Sequence, residues 1–88
     1  MIRVTIEPSA ERDLDELETT VALAVRDKLA ELERHPEPHR WLEKLKAHEN
    51  SYRLRIRDWR AVGILEGNLF RIMRILHRRD DYRSVKHR

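Results

Sequence analysis

Tyr52-Arg53-Leu54-Arg55-Ile56-Arg57-Asp58-Trp59-Arg60-Ala61-Val62 opens with a strict two-residue alternation. In an extended chain Tyr52, Leu54 and Ile56 fall on one side and Arg53, Arg55 and Arg57 on the other, because successive strand side chains point to opposite faces. The pattern predicts an amphipathic strand with a cationic outer face and an apolar face that needs cover. Asp58 permits a tight reversal, and Trp59 to Leu65 reads as the next strand. Gly67-Asn68 is a two-residue hairpin signal between apolar runs, and Leu69 to His77 follows as a third strand.

Upstream, Arg3-Val4-Thr5-Ile6 alternates and reads as a short strand, which Pro8-Ser9 stops. Ser9 is the expected N-cap of the helical segment that follows. At about 100° per residue, Ala10, Leu14, Leu17, Val21, Val25, Leu29 and Leu32 share one stripe. Acidic residues from Glu11 to Glu18 crowd the first turns, where the helix dipole favours them. Thr19-Thr20 offers a second helix start, so the segment is one long helix or two in succession. Pro36-Glu37-Pro38 ends it. Trp41, Leu42 and Leu45 read as a connecting stretch against one edge of the core, and residues 43–49 as a solvated loop. The expected fold is α+β: a strand, a helical segment and an antiparallel three-stranded meander, with helices on one sheet face and arginines on the other.

The 88 residues fit a single domain spanning residues 1–88. A chain of this size buries roughly 60% of the surface its unfolded form exposes, so its core is thin. Charged residues make up 40%, against about 25% in an average domain. There is no cysteine, which excludes disulfides, zinc–thiolate sites and thiol nucleophiles. The longest aliphatic run, Val21-Ala22-Leu23-Ala24-Val25, is far shorter than a membrane span needs. Met1-Ile2-Arg3-Val4 carries no signal-peptide core, so the expected location is the cytoplasm, with no membrane partner.

The net charge of +3 hides an asymmetry. Residues 1–50 hold eight basic and twelve acidic side chains, whereas residues 51–88 hold eleven basic, ten of them arginine, and four acidic. Arginine forks bidentately onto phosphate. Arg53, Arg55, Arg57, Arg60, Arg74 and Arg78 come from adjacent predicted strands, and within the run from Arg53 to Arg60 only Asp58 opposes them. Like charges that close repel, which a bound polyanion would offset.

After the last strand, His77-Arg78-Arg79-Asp80-Asp81-Tyr82 sets an imidazole, fixed cations and a phenol within six positions. RNA carries its own nucleophile, the 2′-hydroxyl. Arginine can stabilise phosphorane charge but cannot exchange protons near neutrality, so His77 or Tyr82 would have to. Trp59, flanked by arginines, is a candidate for stacking on bases. His35-Pro36-Glu37-Pro38-His39 has a His-x3-His spacing, but its prolines make it a loop rather than a helical face, so no metal is expected. No cofactor-binding motif is present.

Two segments at the right separation resemble a known family. Residues 52–62 resemble the "YRLRIGDYRVIY" segment of RelE/ParE-family toxins of bacterial type II toxin–antitoxin systems. Residues 74–82, Arg74-Ile75-Leu76-His77-Arg78-Arg79-Asp80-Asp81-Tyr82, resemble their closing "RVGHRKDVYR" stretch. Leu42-Glu43-Lys44-Leu45-Lys46 also fits the layout. The resemblance implies a RelE-like β-α-α-β-β-β fold and a toxin neutralised by a cognate antitoxin, in a toxin–antitoxin hetero-oligomer. RelE-like members act as mRNA interferases: on the ribosome they cleave mRNA by metal-independent 2′-hydroxyl attack and so block translation.

Carried over by position, the resemblance makes Arg60 and Arg78 phosphate-stabilising, and His77 and Tyr82 members of the catalytic set. Arg53, Arg55, Arg57, Trp59, Arg74 and Arg79 then fall to RNA binding. Arg53 and Arg55 replace the lysines of some RelE proteins, which moves proton transfer to His77 or Tyr82. Arg57 stands where glycine is usual, Trp59 and Gly63 where tyrosines are, and Leu76 where a glycine precedes the histidine. The alternatives are a ParE-like inhibitor of DNA gyrase without ribonuclease activity, and a non-catalytic basic nucleic-acid-binding module.

Overall fold

A computed structural model describes residues 1–46 and 48–80. Five strands, β1 (Arg3–Ile6), β2 (Leu42–Lys44), β3 (Ser51–Ile56), β4 (Trp59–Glu66) and β5 (Leu69–His77), form one sheet in the order β1-β5-β4-β3-β2. β2 to β5 make an antiparallel meander, and β1 joins β5 in parallel. Two helices, α1 (Pro8–Asp15) and α2 (Thr19–Arg34), connect β1 to a 3-10 turn at Pro38–Trp41. The α+β reading holds, as do the first strand and the three expected meander strands, β3 to β5, to which β2 adds a fourth. The helical segment resolves into two helices.

The alternation in β3 sets the layers. Leu54 and Ile56 are buried with Ala61, Phe70, Ile72 and Ile75 from the neighbouring strands, against Ala10 and Leu14 of α1 and Val25, Leu29 and Leu32 of α2. Leu17 and Ala22 pack on the margin of this cluster, where α1 hands over to α2. Burial of these side chains drives the fold, at about 25 cal/mol per Å² of apolar surface. Among the described residues, no helix covers the opposite sheet face.

The stretch expected as connector and solvated loop contains β2, which pairs Leu42 with Leu54, Glu43 with Arg53 and Lys44 with Tyr52. Three residues are too few for an alternation to stand out; the free edge of β3 is what recruits them. Ser9 is not the N-cap. Glu7 holds that position without a side-chain cap, and the helix starts at Pro8, whose fixed φ and missing N–H suit a first helical turn.

Ser9 serves the sheet instead. β1 ends at Ile6 opposite Ile72, leaving the rest of the β5 edge uncovered. The Glu7 N–H donates to the Ile72 carbonyl at 2.9 Å, Ser9 Oγ donates to the Met73 carbonyl at 2.5 Å, and the Ile75 N–H donates to Asp13 Oδ2 at 2.8 Å. Side chains of α1 thus continue the hydrogen bonding that β1 begins, as a buried strand edge requires. On the outer edge of β1 itself, Glu33 of α2 accepts from the Val4 N–H at 2.7 Å.

Arg57 does not continue the outer face of β3. It lies in the two-residue turn before Trp59 with φ 58°, the left-handed region in which a Cβ costs about 1–2 kcal/mol. That geometry accounts for the glycine usual in the resembling segment. Gly63 sits at a break in the β4–β5 register. A Cβ there would meet the Arg71 carbonyl oxygen far inside contact distance, and Phe70 Cε1 at 3.0 Å.

Two stability measurements follow. Gly63→Ala lowers the midpoint of thermal unfolding, by a loss of about 1–3 kcal/mol, because backbone rather than a flexible side chain must yield. Arg57→Gly raises stability by about 1 kcal/mol by relieving the left-handed strain. Calorimetry on both variants checks the two signs.

Candidate nucleic-acid interface

The sheet face opposite α1 and α2, bare among the described residues, is ordered in rows. Strand pairing sets Glu43, Arg53, Val62 and Arg74 side by side across β2 to β5, and Arg55, Arg60 and Leu76 in the next row. Arg55 lies directly opposite Arg60, a like-charge pair that is unfavourable unless each is held elsewhere. Both are. Arg60 Nη1 donates to the Arg57 carbonyl and the Trp59 carbonyl, each at 3.0 Å. Arg55 Nε donates to Glu43 Oε1 at 3.0 Å.

Glu43 is the residue the sequence reading missed. The same oxygen, Oε1, also accepts from Arg53 Nε at 3.1 Å, so one carboxylate joins two arginines on the cationic face. Burial acts to raise the Glu43 pKa, but hydrogen bonds and charge from Arg53 and Arg55 outweigh it and hold the carboxyl below its ordinary value. Asp58 is therefore not the only carboxylate that opposes these arginines. The signal that could have found Glu43 is its place between Leu42 and Lys44, on the strand beside Arg53.

Arg74 turns away from the row. Its Nε and Nη2 donate to the two carboxylate oxygens of Asp13 at 2.8 and 3.2 Å. That hydrogen bond, opposed by desolvation and aided by the charges of Asp13 and Glu16, raises its pKa. Arg74 is thus a clamp between β5 and α1 as well as a member of the face.

At the end of the sheet, the Arg78 N–H donates to the Asp58 carbonyl at 2.8 Å, and Arg78 Nη1 lies 3.7 Å from Asp58 Oδ1. Arg60 and Arg78 are therefore both anchored on residues 57–59. His77 and Trp59 pair across β4 and β5 and belong to the helix-side face, with their rings edge to face at 5.2 Å. The Arg79 N–H donates to His77 Nδ1 at 3.3 Å, which places the proton of the neutral ring on Nε2. His77 and Trp59 border a depression of about 270 Å³ with Leu17, Glu16 and Asp80. Tyr82 lies outside the described residues.

The site residues expected from the sequence thus divide. Arg53, Arg55 and Arg60 share the bare face, Arg57, Arg78 and Arg79 lie around the end of the sheet, and His77 with Trp59 lies on its other side. His35 is engaged locally: its Nδ1 accepts from the Glu37 N–H at 2.8 Å and its ring meets Trp41 edge-on. Among the described residues no helix is long and apolar enough to cross a membrane.

Comparison with known proteins follows the same lines. The sequence matches, over residues 4–82, the family described as "ParE toxin of type II toxin-antitoxin system, parDE". The fold is similar to a chain of the toxin–antitoxin complex RelBE2 from Mycobacterium tuberculosis, with a TM-score of 0.76 and 24% identity over 86% of this chain and 96% of that one. It is also similar to a chain of the RelB–RelE complex from Methanococcus jannaschii, with a TM-score of 0.67 and 22% identity over 90% and 95% of the two chains. The corresponding values for the RelE–RelB complex of Pyrococcus horikoshii are 0.66, 22%, 88% and 94%. None of the curated proteins matches the sequence. With the family match covering nearly the whole chain, and the sheet, helices and arginine face arranged as described, this chain belongs to the ParE toxin family of type II toxin–antitoxin systems, within the wider RelE/ParE group.

Proposed function

We propose that the protein is a toxin that cleaves mRNA on the translating ribosome, with the bare arginine face as its RNA-binding surface. The observation that carries this reading is the meeting of Arg60 and Arg78 on one turn. The carbonyls of Arg57 and Trp59 hold the Arg60 guanidinium, and that of Asp58 holds the Arg78 backbone. Two arginines, one from β4 and one from just beyond β5, are thereby set beside the same turn before substrate arrives, as charge stabilisation in a transition state requires. The 2′-hydroxyl attacks the adjacent phosphorus, the 5′-oxygen leaves, and Arg60 and Arg78 stabilise the charge that develops on the phosphoryl oxygens. His77 or Tyr82 moves the protons. Arg53, Arg55, Arg57, Arg74 and Arg79 hold the strand through its phosphates, and Trp59 stacks on a base.

The partner is a cognate antitoxin, in keeping with the toxin–antitoxin complexes among the similar structures. An acidic segment laid over the arginine face would neutralise it and cover the site. The setting is the cytoplasm, where ribosomes and message are. A second reading, inhibition of DNA gyrase without RNA cleavage, is favoured by the ParE description of the matching family. In that case the same face is a protein- or DNA-binding surface.

A reconstituted translation reaction tests the choice. Wild-type protein is expected to cut message only when ribosomes translate it, and Arg78→Ala to slow cutting about 10²–10³-fold while the fold persists, since Arg78 is exposed. Intact message with wild-type protein, together with loss of gyrase supercoiling activity, would select the second reading.

A further inference from the structure

Glu43 sets one carboxylate oxygen between two arginines of the cationic face. Its Oε1 takes the Nε–H of Arg53 and the Nε–H of Arg55 at 3.1 and 3.0 Å. This is the contact an anionic phosphoryl oxygen makes with guanidinium donors. The carboxylate is not a core group that happens to lie nearby: the Glu43 side chain is 41% exposed and that of Arg55 61%. Backbone pairing of β2 with β3 fixes it there, with Glu43 opposite Arg53. We infer that Glu43 is an internal phosphate mimic that holds the Arg53–Arg55 pair against bare single-stranded RNA, so that an RNA phosphodiester binds this pair only by displacing the carboxylate. The inference rests on the reading of the bare face as an RNA-binding surface.

The physical consequence is selectivity. Phosphate contacts supply sequence-independent affinity, and each additional one steepens the dependence on salt. A toxin that bound any RNA through Arg53 and Arg55 would be spread over the whole RNA of the cell. With Glu43 in place the pair contributes only when other contacts hold the strand in position long enough to exchange one anion for the other. Glu43 is ionised at neutral pH as an ordinary carboxyl is, and the arginines pull its carboxyl lower still, so the mimic is in force under ordinary conditions.

The same logic separates Glu43 from surface carboxylates in general. Glu37 pairs with Arg40 at 3.2 Å beside the 3-10 turn, away from the strands that carry Arg53 and Arg55. Removing its charge changes the net charge of the protein by the same amount without touching the arginine pair.

The test measures binding of a fluorescein-labelled oligouridine twelve-mer by anisotropy across a salt series, with wild-type protein, Glu43→Gln, Glu43→Ala and Glu37→Gln. Glu43→Gln and Glu43→Ala are expected to bind at least about threefold more tightly at low salt, with the slope of log K against log salt steeper by about 0.7 for each further phosphate neutralised. Glu37→Gln is expected to match wild type. Thermal melts of each variant confirm that the proteins compared are folded. Equal binding by wild type and both folded Glu43 variants would overturn the inference while leaving the RNA-binding face intact, as would an equal rise in affinity for Glu37→Gln. Absence of salt-sensitive binding by every variant would overturn both the inference and the RNA reading on which it rests.

Discussion

Among the described residues, the two helices α1 and α2 bury only one face of the five-stranded sheet, and much else follows from which residues fall on the other. In β3 the alternation sends Leu54 and Ile56 into the core and Arg53 and Arg55 out of it. In β4, pairing then obliges Arg60 to stand opposite Arg55, and Val62 opposite Arg53. A shift of register by one residue would bury the arginines and expose the leucine and isoleucine, a cost no small domain could carry. The cationic face is thus locked by the same burial that makes the fold.

The chain also supplies much of the counter-charge for that face. Asp13 of α1 holds Arg74, Glu43 of β2 holds Arg53 and Arg55, Glu7 and Glu66 hold Arg71, and Asp58 lies near Arg78. The acidic first half of the sequence and the arginine-rich second half therefore meet across the sheet. Exposed pairs of this kind contribute little to stability. Their effect lies in where they hold each guanidinium: Arg74 is drawn to the helix, while Arg53 and Arg55 are brought together. Clustered like charges become tolerable in the unbound protein, and a polyanion that binds must compete with carboxylates already in place.

The meander, the first strand and the buried stripe of the helices were legible because each rests on a periodicity several residues long. What the sequence hid rests on single contacts between distant segments. β2 is three residues with no period of its own, and only the open edge of β3 makes it a strand. Ser9 has the chemistry of a helix cap, but the uncovered Met73 carbonyl claims it. Arg57 completes the alternation on paper and yet turns at a left-handed φ, because the chain must reverse before Trp59 can pair with Ile56. In the site, the arginine rows of β3 and β4 could be read from the pattern. The placement of His77 on the helix side could not, because it depends on the register break near Gly63 that sets the pairing of β4 with β5.

The central claim is that the uncovered face of the sheet is where a nucleic acid binds. The most direct measurement is a nuclear magnetic resonance titration of the arginine Nε–Hε signals with single-stranded RNA. The Arg60 signal is expected to move first, with those of Arg53 and Arg55 following as RNA displaces Glu43, while those of Arg26 on α2 and Arg40 in the 3-10 turn stay in place. Shifts confined to the helix side, or spread evenly over every arginine, would contradict it.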